Sequence, residues 1–218
     1  MKIVVLKIIL LLNLLTFGQE KSEKSKFEII AEKIGDLDKD GIDEKVIVYE
    51  TNESTEYGNI REIFILKKVG GEWKDWKNSK SAVLKSEEGG MMGDPFEGIE
   101  IKNGILSINF FGGSSWKWSY TDKYRFQNNR FELIGYSSNY FKLCQYWNSV
   151  DFNLSTGKLI SKKEYEKCEN EEQQIYKREN ETFYKKNIEI TLKNRQEREI
   201  KILTPKYNRE IYIANGNE

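Results

Sequence analysis

Trp116-Lys117-Trp118-Ser119-Tyr120-Thr121-Asp122-Lys123-Tyr124-Arg125-Phe126 is the stretch whose reading decides the fold. Trp116, Trp118, Tyr120, Tyr124 and Phe126 share one parity, interrupted by Asp122, while Lys117, Ser119, Thr121, Lys123 and Arg125 share the other. Successive side chains of a strand point to opposite faces, so the alternation predicts a strand with an apolar face and a wet face. Upstream, Ile99 and Ile101 lead to Asn103-Gly104, a strong hairpin signal, and Leu106, Ile108 and Phe110 alternate with Ser107 and Asn109 on the return. Downstream, Asn128-Asn129 turns the chain into residues 131–136. Together these segments predict a β-meander of three or four strands with an aromatic face.

The flanking chain extends the pattern. Residues 27–34 read as a strand that Ile30 disturbs, with a helix as the alternative, 45–49 as a nearly all-apolar strand, and 61–68 as a strand turning at Val69-Gly70-Gly71-Glu72 into residues 73–76. Residues 86–98 form a glycine-rich loop, and 150–160 hold a hairpin turning at Ser155-Thr156-Gly157-Lys158. Residues 161–180 are dense in Lys and Glu, which reads as a solvated helix or a long loop. Strands are expected again at 187–193, 199–203 and 207–213. The fold class is mainly β: an antiparallel meander or sandwich-like single domain over 27–218, with a short helical or loop segment near 161–180.

Of the 218 residues, 35 are Lys or Arg and 35 are Asp or Glu, so no basic excess points to nucleic acid. The chain has no histidine, which removes His-based zinc sites and His-dependent nucleophilic triads. Residues 1–18 read as a signal peptide, with Lys2 and Lys7 before and within an apolar run and small residues at Thr16 and Gly18; an uncleaved anchor is the alternative. The run is too short for a stable membrane span. Export to the periplasm, the cell surface or the medium follows, with 19–26 as a polar, flexible leader. Cys144 and Cys168 are the only cysteines, and an exported chain would pair them as a disulfide, the alternative being two free thiols.

Gly35-Asp36-Leu37-Asp38-Lys39-Asp40-Gly41-Ile42-Asp43-Glu44 sets a carboxylate at every second position before an apolar strand. Calcium takes six to eight oxygens, so converging carboxylates suit it. Asp36, Asp38 and Asp40 would supply side-chain oxygens, Ile42 a backbone carbonyl, and Glu44 would close the cage. An EF-hand needs Glu at the twelfth position, where Ile47 stands, so the loop is of another kind. It resembles the calcium loops of the FG-GAP and VCBS repeat families, in Gly35-Asp36, Asp38, Asp40-Gly41 and Glu44, over residues 30–50 and in a single copy. The resemblance implies a structural calcium ion. A plain acidic turn is the competing reading.

Trp116, Trp118 and Tyr120 could form a sugar-stacking platform, or simply the core face of their strand. With no histidine and no nucleophile motif, binding is favoured over catalysis. The expected function is an exported, calcium-stabilised β module that binds a glycan or a protein of the cell envelope. The alternatives are an Asp/Glu-dependent hydrolase and a structural or inhibitor-like interaction protein.

Overall fold

Alternation along the sequence becomes two antiparallel meanders and a small hairpin. The computed structural model describes residues 27–169, 172–197 and 200–213; the expected signal peptide, the leader and Glu199 lie outside the described residues. Strands β1 (Glu28–Gly35), β2 (Glu44–Thr55), β3 (Gly58–Val69) and β4 (Glu72–Ser79) pair in chain order as one sheet. A second sheet holds seven strands, also in chain order: β5 (Phe96–Lys102), β6 (Ile105–Gly113), β7 (Lys117–Gln127), β8 (Arg130–Lys142), β9 (Tyr146–Asn153), β10 (Lys158–Glu169) and β11 (Glu172–Tyr184). The hairpin of β12 (Lys201–Leu203) and β13 (Glu210–Tyr212) completes the set.

Local chemistry explains the turns. Asn128 and Asn129 both take positive φ, 51° and 59°, as do Asn103 and Gly104 at 54° and 74°. Two consecutive left-handed residues make the turn whose twist matches paired strands, and Asn and Gly reach that region most easily. The disturbance at Ile30 is a bulge: β1 and β2 shift register between Ile29 and Ala31.

Two expectations need correction. Residues 161–180 are neither helix nor loop but lie in β10 and β11, which pair from Lys158↔Tyr184 to Glu169↔Glu172. Beyond Glu166 their distal half is exposed, so no apolar alternation marks it. Residues 187–193 do not form a strand; they touch β8 through a single bridge, Glu132↔Thr191, with Leu133 donating to the Ile190 carbonyl and Leu192 to that of Phe131.

Val46, Val48, Ile63 and Ile65 of the first sheet share one buried cluster with Ile99, Leu106, Ile108 and Phe110 of the second. Cross-strand register arranges the inner face of the second sheet in rows. One row runs Ile108–Asp122–Tyr136–Phe152–Leu159, the next Phe110–Tyr120–Ser138–Val150–Ser161. The C-terminal segment covers the middle of these rows with two arginines. Arg195 donates from Nε to Asp122 Oδ2 (2.5 Å) and from Nη2 to Oδ1 (3.1 Å), while Arg209 Nη2 donates to Ser161 Oγ (2.8 Å). Asp122, the break in the aromatic parity, therefore faces the core at 0% exposure, and Arg195 is 3% exposed. Cys144 and Cys168 form a disulfide that ties the β8–β9 turn to β10.

Removing one partner of a buried ion pair strands the other charge in the interior. Asp122→Ala is expected to cost about 3–5 kcal/mol in urea unfolding, and Asp122→Leu combined with Arg195→Met much less. Equal losses in the two variants would refute this account of the pair.

Candidate cation loop and aromatic face

The β1–β2 connection curls because its aspartates cap their own backbone. Asp36 accepts from the Lys39 N–H (2.6 Å) and the Gly41 N–H (3.1 Å), Asp38 from the Asp40 N–H (3.3 Å), and Asp40 from the Ile42 N–H (2.8 Å). Such bonds stabilise Asx-type turns, and Gly41 takes the positive φ the curl requires, 85°. The result brings one carboxylate oxygen each from Asp36, Asp38 and Asp40 within 4.8 Å of one another.

Glu44 stands outside that trio. Its carboxylate is 1% exposed and accepts from the Leu37 N–H at 2.8 Å, so it pins the loop to the head of β2. Burial pushes its pKa above the ordinary glutamate value; the Leu37 bond works the other way, and the charge of Asp38 adds to the rise. The Ile42 side chain is exposed.

Sequence reasoning missed Lys67. From β3 its ammonium reaches into the loop, hydrogen-bonds Asp38 and Asp40 (3.2 Å to the latter), and lies 3.5 Å from Glu44 and 4.5 Å from the centre of the Trp76 ring. Burial acts to lower the Lys67 pKa, but the bonds to Asp38 and Asp40 outweigh it and raise the value overall. Nothing within the loop's own sequence announces a lysine 27 residues beyond Asp40; antiparallel register delivers it.

The glycine-rich loop is anchored from the first sheet. Arg61, 1% exposed, donates from Nη1 and Nη2 to the two Asp94 oxygens, both at 2.6 Å, and from Nε and Nη2 to Glu50. Asp94 in turn accepts from the Phe96 N–H at 2.8 Å, which starts β5. Gly112 leaves room for Trp118, whose ring a Cβ at that position would strike at 2.4 Å.

The aromatic trio separates. Trp118 and Tyr120 pack against the core, whereas Trp116 is 43% exposed at the β6–β7 turn, with the Lys142 ammonium 4.0 Å from its ring centre. Beside it, an open depression of about 270 Å³ is lined by Ser114, Ser115, Lys117, Phe141, Lys142 and Leu143.

Comparison with known proteins finds no matching family, no similar curated protein and no similar solved structure. What the chain does must therefore be argued from its own residues. Among the described residues no helix is long and apolar enough to cross a membrane.

Burial works to raise the Asp94 pKa, but the Arg61 bonds and the Phe96 N–H hold it below the ordinary aspartate value. A depressed carboxylate stabilises the fold above its unfolded pKa of about 3.9 and loses that contribution as pH falls through the folded value. Unfolding midpoints measured below pH 4 should fall more steeply for the natural chain than for Asp94→Asn. Parallel curves would remove Asp94 from the acid response.

Proposed function

We propose that the chain is an exported β module whose first sheet is stapled by a calcium ion at Asp36, Asp38 and Asp40, and which acts by binding a component of the cell envelope. The observation that carries the metal reading is the convergence of three carboxylates within 4.8 Å, on a loop whose turns are held by the same side chains. The resemblance of this loop to FG-GAP and VCBS calcium loops supports the choice of metal. A hard divalent cation prefers such oxygen ligands, and the Ile42 carbonyl and Glu44 stand beside them in the chain. The disulfide supports export, since such bonds persist in oxidising compartments.

The role of the ion is structural. Three aspartates in one turn repel each other, and without metal Lys67 supplies the balancing charge through Asp38 and Asp40. Calcium and the Lys67 ammonium therefore compete for the same carboxylates. Binding of the ion displaces the lysine and exchanges one positive charge for two, which strengthens the closure of the β1–β2 turn.

Calcium at a hundredfold excess over its Kd should raise the melting temperature by about 5–10 °C, and a chelator should reverse the rise. Asp38→Asn should abolish the shift. Lys67→Met should melt lower without metal and bind calcium roughly tenfold more tightly, because the competing cation is gone. A melting temperature indifferent to calcium sinks the proposal.

A further inference from the structure

Beyond the two rows covered by the C-terminal segment, the inner face of the seven-stranded sheet continues. Register places Trp118, Tyr140, Asn148 and Lys163 in the next row, and Lys142, Tyr146 and Tyr165 in the last. These side chains point to the same face as the core, because each lies two, four or six residues from a buried member of its own strand. Yet they are only partly buried, and Tyr140 is 41% exposed.

Three features distinguish this surface. Its rings form a connected set: Tyr140 stacks on Tyr146 with centroids 6.1 Å apart, and the Tyr146 hydroxyl meets the side chains of Trp116 and Tyr140. One of its cations is set between rings. The Lys163 ammonium lies 4.5 Å from the Tyr146 centroid and 4.9 Å from that of Tyr165, and makes no ion pair among the described residues. The nearest carboxylate across the strand, Glu179, is committed to Lys177 (2.6 Å), the Tyr165 hydroxyl (3.1 Å) and Arg209 (3.6 Å). Finally, Asn148 Oδ1, between Tyr140 and Lys163 in the row, is buried with no hydrogen-bond partner.

An unpaired ammonium and an orphaned carboxamide oxygen on a partly buried face are costs that a ligand would relieve. Among the described residues Lys142, Lys163, Lys177 and Arg209 outnumber Glu179 and Glu181 at this edge of the sheet, so charge complementarity calls for an anion. The Asn148 oxygen calls for a donor such as a hydroxyl, and the tyrosine faces suit flat, weakly polar C–H surfaces. A sugar ring bearing a carboxylate combines all three. We propose that this face binds an acidic saccharide, with the carboxylate at Lys163, a ring hydroxyl at Asn148 and the pyranose against Tyr140 and Tyr146. Burial and the Arg209 charge lower the Lys163 pKa, Glu179 opposes them, and Lys177 adds to the lowering; an incoming carboxylate would offset that strain. Trp116 contributes at the margin, because Lys142 already caps its ring.

The test is titration of the full mature chain, at fixed calcium, with a hyaluronan tetrasaccharide, with uncharged chitotetraose and with an oligoglutamate peptide, followed by amide NMR shifts. The hyaluronan fragment should bind best, shift Tyr140, Tyr146, Asn148 and Lys163, and weaken as salt rises. Lys163→Met should lose roughly tenfold in affinity at unchanged melting temperature, and Lys163→Arg should retain most of it. Asp38→Asn should bind the saccharide as the natural chain does, which separates this site from the calcium loop. Absence of hyaluronan binding, equal binding of chitotetraose, or oligoglutamate binding as tightly would each overturn the proposal.

Discussion

A sheet of seven strands offers more inner face than a sheet of four can cover, and the burial of that face governs the rest of the architecture. Val46, Val48, Ile63 and Ile65 shield the rows near β5 and β6, where Leu106 and Ile108 are fully buried. The middle rows carry Tyr136, Val150, Phe152 and Leu159 and need a second cover. The chain supplies it with residues 188–197 and 200–213, whose Ile190, Leu192, Ile202, Ile211 and Ile213 join the same cluster. Apolar burial of this kind, at about 25 cal/mol per Å², is the main force holding the layers together. Beyond the cover, the side chains change from aliphatic to Tyr, Asn and Lys, so the composition of the rows follows how deeply each is buried.

Charge follows the same geography. Where cations enter the interior they arrive with carboxylates already aimed at them: Arg61 with Asp94 and Glu50, Arg195 with Asp122, Lys67 with Asp38 and Asp40. Each joins segments far apart in sequence, so each also specifies an arrangement: Arg61 fixes the glycine-rich loop to the first sheet, and Arg195 fixes the C-terminal segment to the second. Against this habit, among the described residues, Lys142 lies over the Trp116 ring and Lys163 is set between two rings with the neighbouring carboxylate taken by others. A fold that pairs its inward cations so consistently makes an inward cation without a counterion chemically conspicuous.

Much of this was legible in the sequence, for physical reasons that also mark where it was not. Asn103-Gly104 and Asn128-Asn129 are local signals, and short turns force consecutive strands to be neighbours, so the central meander follows directly. The disulfide and the curl of the acidic loop are likewise local or near-local. Residues 161–180 misled because an outer hairpin whose buried positions are mostly polar carries no apolar period, and its Lys and Glu content resembles a solvated helix. Asp122 looked like a flaw in an aromatic stripe; its partner Arg195 lies 73 residues away, a distance no spacing rule reports. Trp116, Trp118 and Tyr120 share a parity, yet where the covering layer ends along β7 decides their exposure, and only the tertiary structure sets that edge.

The two proposed sites sit at opposite ends of the molecule, and this constrains how they can communicate. The acidic loop abuts the β5–β6 turn: Gly35 lies against Ile101, and a Cβ at Gly104 would strike the Lys39 side chain. Antiparallel order places that turn at the end of the seven-stranded sheet away from the β6–β7 and β8–β9 turns, beside which Trp116, Tyr140 and Tyr146 stand. Between them, among the described residues, runs the packed core. A calcium ion at one end would therefore act on the other through the stability of the sheets between. Metal binding should then set how stable the folded module is, while Lys163 and its rings govern what the folded module holds.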